Sequence, residues 1–173
     1  MTLNEICIKK TFTVAGIEFI KVACEGDRTV VMAKDPLFRA RFGKDNNFAN
    51  SELLQKLQTE VLAKIEAEIG AENVLEFETD LTSLDGLKTH GKMVSRISLP
   101  TFDFYRENVE LFDEYKLDDW WWLATPETTE EHLNNDWVIC VSPRGNFFCN
   151  RRSRNLNSGV RPVLIFESNI SVS

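Results

Sequence analysis

His90 and His132 are the side chains in this sequence best suited to proton transfer near neutral pH. Neither has a serine or cysteine beside it in a nucleophile-like setting, so both are expected on surface loops. The four cysteines, Cys7, Cys24, Cys140 and Cys149, form no CxxC pair. A zinc site is therefore unsupported, and free thiols are expected. The carboxylates Asp103, Glu107, Glu110, Asp113 and Glu114 mostly avoid the apolar positions of their segment and read as a solvated face, because no histidine or closed ligand set accompanies them. No glycine pattern of the phosphate-cradling or dinucleotide-binding kind occurs. The expected chemistry is therefore recognition rather than catalysis, with no cofactor and no metal.

Two features are suited to recognition. Trp120, Trp121 and Trp122 follow Asp118 and Asp119, and hold three of the four tryptophans. Such a run can stack a sugar or a base, but its apolar strand context (WWWLATP) assigns it to the core. Successive side chains of a strand point to opposite faces, so Trp121 is expected to oppose Trp120 and Trp122, in an interior strand covered on both sides. The second feature is charge segregation. The net charge is −7, yet residues 137–166 contain five arginines (Arg144, Arg151, Arg152, Arg154, Arg161) and no Asp, Glu or Lys. That segment is +5 and the remainder −7 − 5 = −12. The acidic total argues against general coating of nucleic acid, leaving at most weak binding there.

The elements that must position these groups follow from periodicity. At 173 residues, 43% apolar and 27% charged, the chain is expected to form one soluble domain over residues 1–173. No apolar run reaches membrane-span length and no secretory signal is visible, so a cytoplasmic location or a particle assembled there is expected. Residues 11–22 and 29–33 read as strands around a turn at Glu25-Gly26-Asp27. Residues 35–50 form a polar loop with Phe38, Phe42 and Phe48 as anchors. Leu53, Leu54, Leu57, Val61, Leu62, Ile65 and Ile69 mark a helix over 51–69, capped by Asn50 or Ser51 and stopped by Gly70, with a break near Gln58 left open. A strand over 94–99 precedes a second helix, capped at Thr101 or Asp103 and ending about Phe112.

Residues 137–142 and 146–151 read as a hairpin about Ser142-Pro143-Arg144-Gly145. A three-residue loop with a type I turn and bulged Gly145 sets Ile139 opposite Cys149, whereas a two-residue loop sets Cys140 opposite Cys149. The proline favours the first, which puts the two cysteines on opposite faces. Residues 151–158 are polar and expected exposed, 163–166 form a last buried strand, and the tail 167–173 is expected to be loose. The fold class is α+β.

Several runs carry a family likeness. ISLPTFDFYR (97–106), DWWWLATP (119–126), VSPRG (141–145) and GVRPVLIF (159–166) resemble the DUF6273 family of gut Firmicutes and their phages and mobile elements. FGKDNNFANSELLQKL (42–57) and DLTSLDGL (80–87) also fit, so the likeness covers most of the chain. The resemblance implies a C-type-lectin-like fold, akin to formylglycine-generating enzymes and phage variable proteins. Two helices would flank small antiparallel sheets, and the termini would meet. In phage variable proteins of this fold, ligand contacts cluster between the two last motifs. Here that stretch offers Asn146, Asn150, Arg151, Arg152, Arg154, Asn155 and Asn157, whose forks and amides suit polar recognition. A solvated loop is the alternative reading. Arg161, beside Pro162 at the start of a core strand, is expected to be a buried structural pair.

Calcium-dependent sugar binding in such folds uses a Glu-Pro-Asn loop and a Trp-Asn-Asp strand. This chain has Asn135-Asp136-Trp137 and no Glu-Pro-Asn. Copper chemistry of the formylglycine kind needs a close cysteine pair, which the preferred hairpin register denies. The expectation is a non-enzymatic module that binds a macromolecular partner, a protein, through the Arg/Asn stretch. The alternatives are a phage-encoded inhibitor of a host defence such as a CRISPR nuclease, and a weak enzyme or carbohydrate binder.

Overall fold

The computed structural model describes residues 1–145, 150–154 and 157–173, with the backbone alone at Asn150, Arg151 and Arg152. The chain is a mixed α+β structure of mostly antiparallel sheets and few helices. It begins with β1 (Thr11–Val14), β2 (Ile17–Glu25), β3 (Arg28–Ala33) and the short β4 (Arg39–Ala40). Helices α1 (Glu52–Lys56) and α2 (Ala63–Ile69) follow, joined by the π-helical turn Leu57–Leu62. Next come β5 (Val74–Leu75), β6 (Phe77–Asp80), β7 (Lys92–Ser95), α3 (Phe102–Glu107) and α4 (Val109–Glu114). The chain closes with β8 (Trp121–Pro126), β9 (Trp137–Val141), β10 (Asn150–Arg152), β11 (Ser158–Gly159) and β12 (Val163–Glu167).

Two five-stranded sheets run β1-β2-β3-β12-β5 and β10-β9-β8-β11-β4; β6 and β7 make a third, two-stranded sheet. β8 is the central strand of the second sheet, and all six of its residues are buried. Its alternation divides the core. Trp122 and Ala124 join one apolar cluster, Trp121 and Leu123 the other. β9 does the same, with Val138 and Cys140 opposing Ile139 and Val141. Strands buried on both faces need near-continuous apolar sequence and cover on both sides. Leu53, Leu57, Val61 and Ile65 of the 52–69 helix cover the first cluster; Tyr105, Leu111 and Phe112 of α3 and α4 cover the second.

Local chemistry sets the helix starts. The Ser51 hydroxyl accepts from Leu54 N at 3.0 Å and the Thr101 hydroxyl from Phe104 N at 3.1 Å, each satisfying an orphan donor of a first turn. The break near Gln58 is the π turn rather than a stop. The second helix is split at Asn108, whose φ of −120° leaves the helical range.

Four expectations are corrected. Residues 11–22 are two strands, not one: Ala15 and Gly16 take φ of 53° and 71° and turn the chain so that Val14 lies opposite Ile17. Positive φ at both turn residues is the primed-hairpin geometry, and Ala-Gly lacks the asparagine that advertises it. The strand expected over 94–99 instead spans Lys92–Ser95. The tail is not loose. Leu3 N donates to Ile170 O at 2.9 Å, Val172 N to Met1 O at 3.0 Å and Thr13 N to Ser173 O at 2.7 Å, and Ile170 is buried. Its polar composition hid backbone groups that complete the edge of the first sheet. Finally, Asn150 lies opposite Ile139, one residue away from the preferred hairpin register. The turn itself is as expected, with Gly145 N donating to Ser142 O at 2.8 Å and Gly145 at φ 80°. Because β9 is apolar on both faces, burial does not select between registers there. Cys149, whose face the expectation concerned, lies outside the described residues.

Candidate functional site

The helices α3 and α4 cover only part of the first sheet's face. Ile20, Val22 and Met32 lie buried in the second cluster, whereas Val30 and Ile165 remain half-buried. The uncovered part is the floor of a cleft of about 560 Å³, within the range of ligand sites. Val30, Val163 and Ile165 form that floor, and Leu99, Phe102 and Phe104 form one wall. The opposite wall is β6, all four of whose residues line the cleft, together with Thr82, Ser83 and Leu84. Leu84 is 47% exposed at the mouth.

The rim is polar. Lys92 Nζ donates to Glu78 at 2.7 Å, and Arg106 pairs with Asp103 at 2.9 Å with its guanidinium 5.6 Å from the Phe102 ring centre. Asp80 makes no ion pair among the described residues. Its Oδ1 accepts from the Thr82 hydroxyl at 2.6 Å and from Thr82 N at 2.9 Å. Those two donors, the hydroxyl foremost, hold its carboxyl below the ordinary aspartate range. Thr79 is 4% exposed, and among the described residues its hydroxyl oxygen has no hydrogen-bond partner.

The loop wall is held from behind by Asp85. The Ser83 hydroxyl donates to Asp85 Oδ1, while the Thr128 hydroxyl at 2.7 Å and His132 Nδ1 at 2.9 Å reach Oδ2. Leu84 N donates to Pro126 O at 2.9 Å. A nucleophilic relay sets the imidazole between hydroxyl and carboxylate; here two hydroxyls and the imidazole each contact the carboxylate directly, which is a structural latch. Ser83 foremost, then Thr128 and His132, bring the Asp85 pKa down to about 2. A carboxyl lowered on folding contributes stability that is complete above its unfolded value of about 3.9 and lost as pH falls through the folded value. Asp85→Asn is therefore expected to cost about 0.5–1 kcal/mol at pH 7, because Asp85 is exposed and water screens these contacts. The cost should shrink progressively between about pH 4 and 2, as wild type loses the same contribution. Urea midpoints of both proteins across that window check this; an undiminished difference at pH 2 contradicts the latch.

Of the residues expected to bind a partner, Arg154 and Asn157 have described side chains, and neither lines the cleft. Asn146 and Asn155 lie outside the described residues. Asn150, Arg151 and Arg152 form β10, opposite Ile139, Val138 and Trp137. Arg154 is exposed, with its guanidinium 2.5 Å from Asp136. Asn157 is exposed and its carbonyl accepts from Arg39 at 2.9 Å. Trp121 and Trp122 are 2% and 0% exposed; Trp120 is half-buried against the first cluster. Arg161 is buried, as anticipated, but its expected pair is corrected. Among the described residues it has no ion pair; it donates from Nε to Ala33 O at 3.1 Å and lies 4.8 Å from the Trp121 ring centre. His90 Nε2 meets Asn46 Oδ1 at 2.9 Å.

Sequence reasoning missed the cleft and the Asp85–His132 contact. The cleft residues come from distant stretches and none is chemically unusual. The only local signals were Asp85-Gly86 as a turn and the half-apolar LEFETD run (75–80).

Fold and site together define an α+β protein with an apolar cleft rimmed by charge. No family model, curated protein or solved structure matches the chain. Among the described residues no three His, Cys, Asp or Glu side chains are grouped to hold a metal, and no helix is long and apolar enough to cross a membrane.

Proposed function

We propose that this protein is a non-enzymatic binding module for a protein partner, and that the cleft bounded by β6, β12 and α3 receives it. The observation that carries the reading is the cleft itself: half-buried apolar side chains around a floor of sheet residues, enclosed by a charged rim. Water leaves such a surface at a gain, and polar rims with apolar centres characterise protein contacts. The lectin-like likeness is part of the same reading. It is supported by helices on either side of antiparallel sheets and by the Thr2–Ser171 bridge that joins the two ends of the chain. On that likeness Arg154 and Asn157, with Asn146, Asn150, Arg151, Arg152 and Asn155, form a second, polar contact surface.

The test uses Nile red, an uncharged apolar dye, as a probe of the cleft. Saturable binding to the intact protein is expected. Leu84→Asp, at an exposed rim position, should weaken it about tenfold while leaving the melting temperature in place. Equal dye affinity in wild type and Leu84→Asp would remove the cleft as the binding site.

A further inference from the structure

Among the described residues β6 pairs with β7 on one side and with no strand on the other. The ladder sets Phe77 opposite Ser95, Glu78 opposite Val94, Thr79 opposite Met93 and Asp80 opposite Lys92. The next pair is Leu81 and Gly91, where Leu81 N donates to Gly91 O at 3.0 Å. Antiparallel pairs alternate between hydrogen-bonded and non-hydrogen-bonded. Leu81, Thr79 and Phe77 therefore turn their N–H and C=O groups inward to β7, and Glu78 and Asp80 turn theirs outward. Among the described residues nothing donates to or accepts from those outward groups.

The free edge faces the cleft. Side chains of a strand alternate between its faces, yet all four residues of β6 line the same cavity. A cavity that meets both faces of a strand runs along its edge. Two outward residues spaced i and i+2 are the pattern an added strand uses. Phe77, like Val30 and Phe102, packs against the second apolar cluster, so that face of the added strand would look down on the cleft floor. The opposite face carries Glu78 and Asp80, both exposed. Charged side chains on an edge deter pairing with a second copy of the same strand. They also favour opposite charge directly across from them. Lys92 already serves Glu78, which leaves Asp80 as the carboxylate without an ion pair among the described residues.

We infer that the partner contributes an extended segment that adds to β6 as a third strand, with alternating apolar and basic residues. Apolar side chains enter the cleft over Val30, Ile165 and Phe102, and a Lys or Arg lies across from Asp80. This rests on the reading of the cleft as the partner's site, and it specifies the chemistry of the segment.

The test is selection of a random displayed peptide library on the full chain, followed by synthesis of the enriched sequences. Enrichment of apolar residues at every second position, with Lys or Arg between them, is expected. The synthetic peptides should displace Nile red. N-methylation of the peptide amides that face Glu78 and Asp80 should abolish binding, whereas methylation of the intervening amides should be tolerated. Asp80→Asn retains the acceptor for Thr82, and it should reduce affinity for the basic peptide about fivefold. Peptides that displace the dye but lack alternation, prefer acidic residues or tolerate every N-methylation would overturn strand addition and leave the cleft reading intact. Dye binding without any enriched peptide would do the same. Failure of the dye to bind wild type would overturn the cleft reading, and with it the inference.

Discussion

Replacing Trp122 with alanine is expected to lower folding stability by about 3–5 kcal/mol. The side chain is fully buried on the central strand of the second sheet. Its ring meets Phe42 edge-on at 5.6 Å, and Phe42 in turn meets Phe48 at the same separation. Its Nε1 donates to Ala40 O at 2.8 Å, tying β4 to β8. Alanine would therefore open a cavity where helix, loop and sheet converge, and would remove the indole hydrogen bond to Ala40 O. Trp122→Phe should recover most of the loss, because it retains an aromatic ring and forfeits the hydrogen bond. Trp120→Ala, at a half-buried position on the same face, should cost distinctly less. Urea unfolding of the three variants checks the ranking. A loss under about 1 kcal/mol for Trp122→Ala would contradict a packed core at this position.

Arg161 is expected to give the second large effect and an instructive contrast. The residue is 1% exposed, with its guanidinium 4.8 Å from the Trp121 ring centre and 5.8 Å from that of Phe112. Nε donates to Ala33 O at 3.1 Å, but Nη2 has no hydrogen-bond partner among the described residues. Burial pushes its pKa down to about 10, against the opposing pull of Asp35. The stem and ring contacts favour the folded state; the incompletely solvated charge opposes it. Arg161→Ala removes the contacts together with the charge, and should cost about 3–5 kcal/mol through the cavity beneath Trp121 and the orphaned Ala33 carbonyl. Arg161→Met keeps most of the volume and sheds the charge but still orphans the Ala33 carbonyl, so it should cost distinctly less than alanine, about 1–2 kcal/mol. Equal damage from Met and Ala would show that the charge itself stabilises the fold.

The contrast between these two residues explains what was legible beforehand. The Trp120–Trp122 run announced an interior strand because a strand so apolar must be covered on both faces, and the two core clusters divide at that strand. The 52–69 helix was legible because leucine and isoleucine recur at helical spacing, and its start because a serine precedes it. Arg161 was legible as buried from its place beside a core strand, but not in its partners. A ring and a carbonyl leave no charge pattern in sequence. Ala15-Gly16 carried no strong turn signal, and the tail's order lies in backbone bonds, to which composition is blind. The cleft was least legible of all. Val30, Thr79, Leu84, Phe102 and Ile165 are ordinary core-type residues, and the site consists of the incomplete cover that α3 and α4 give the first sheet. Likewise His132 looked isolated because Asp85 stands 47 residues away.

Residue-resolved amide hydrogen exchange, with and without a selected alternating peptide, tests the cleft most directly. In the free protein Phe77 and Thr79 should be protected by β7, and Glu78 and Asp80 should exchange rapidly. Added peptide should slow Glu78 and Asp80 and leave Arg154 and Asn157 unchanged. Protection gained at Arg154 and Asn157, with β6 unaffected, would contradict the cleft and return recognition to the arginine and asparagine stretch.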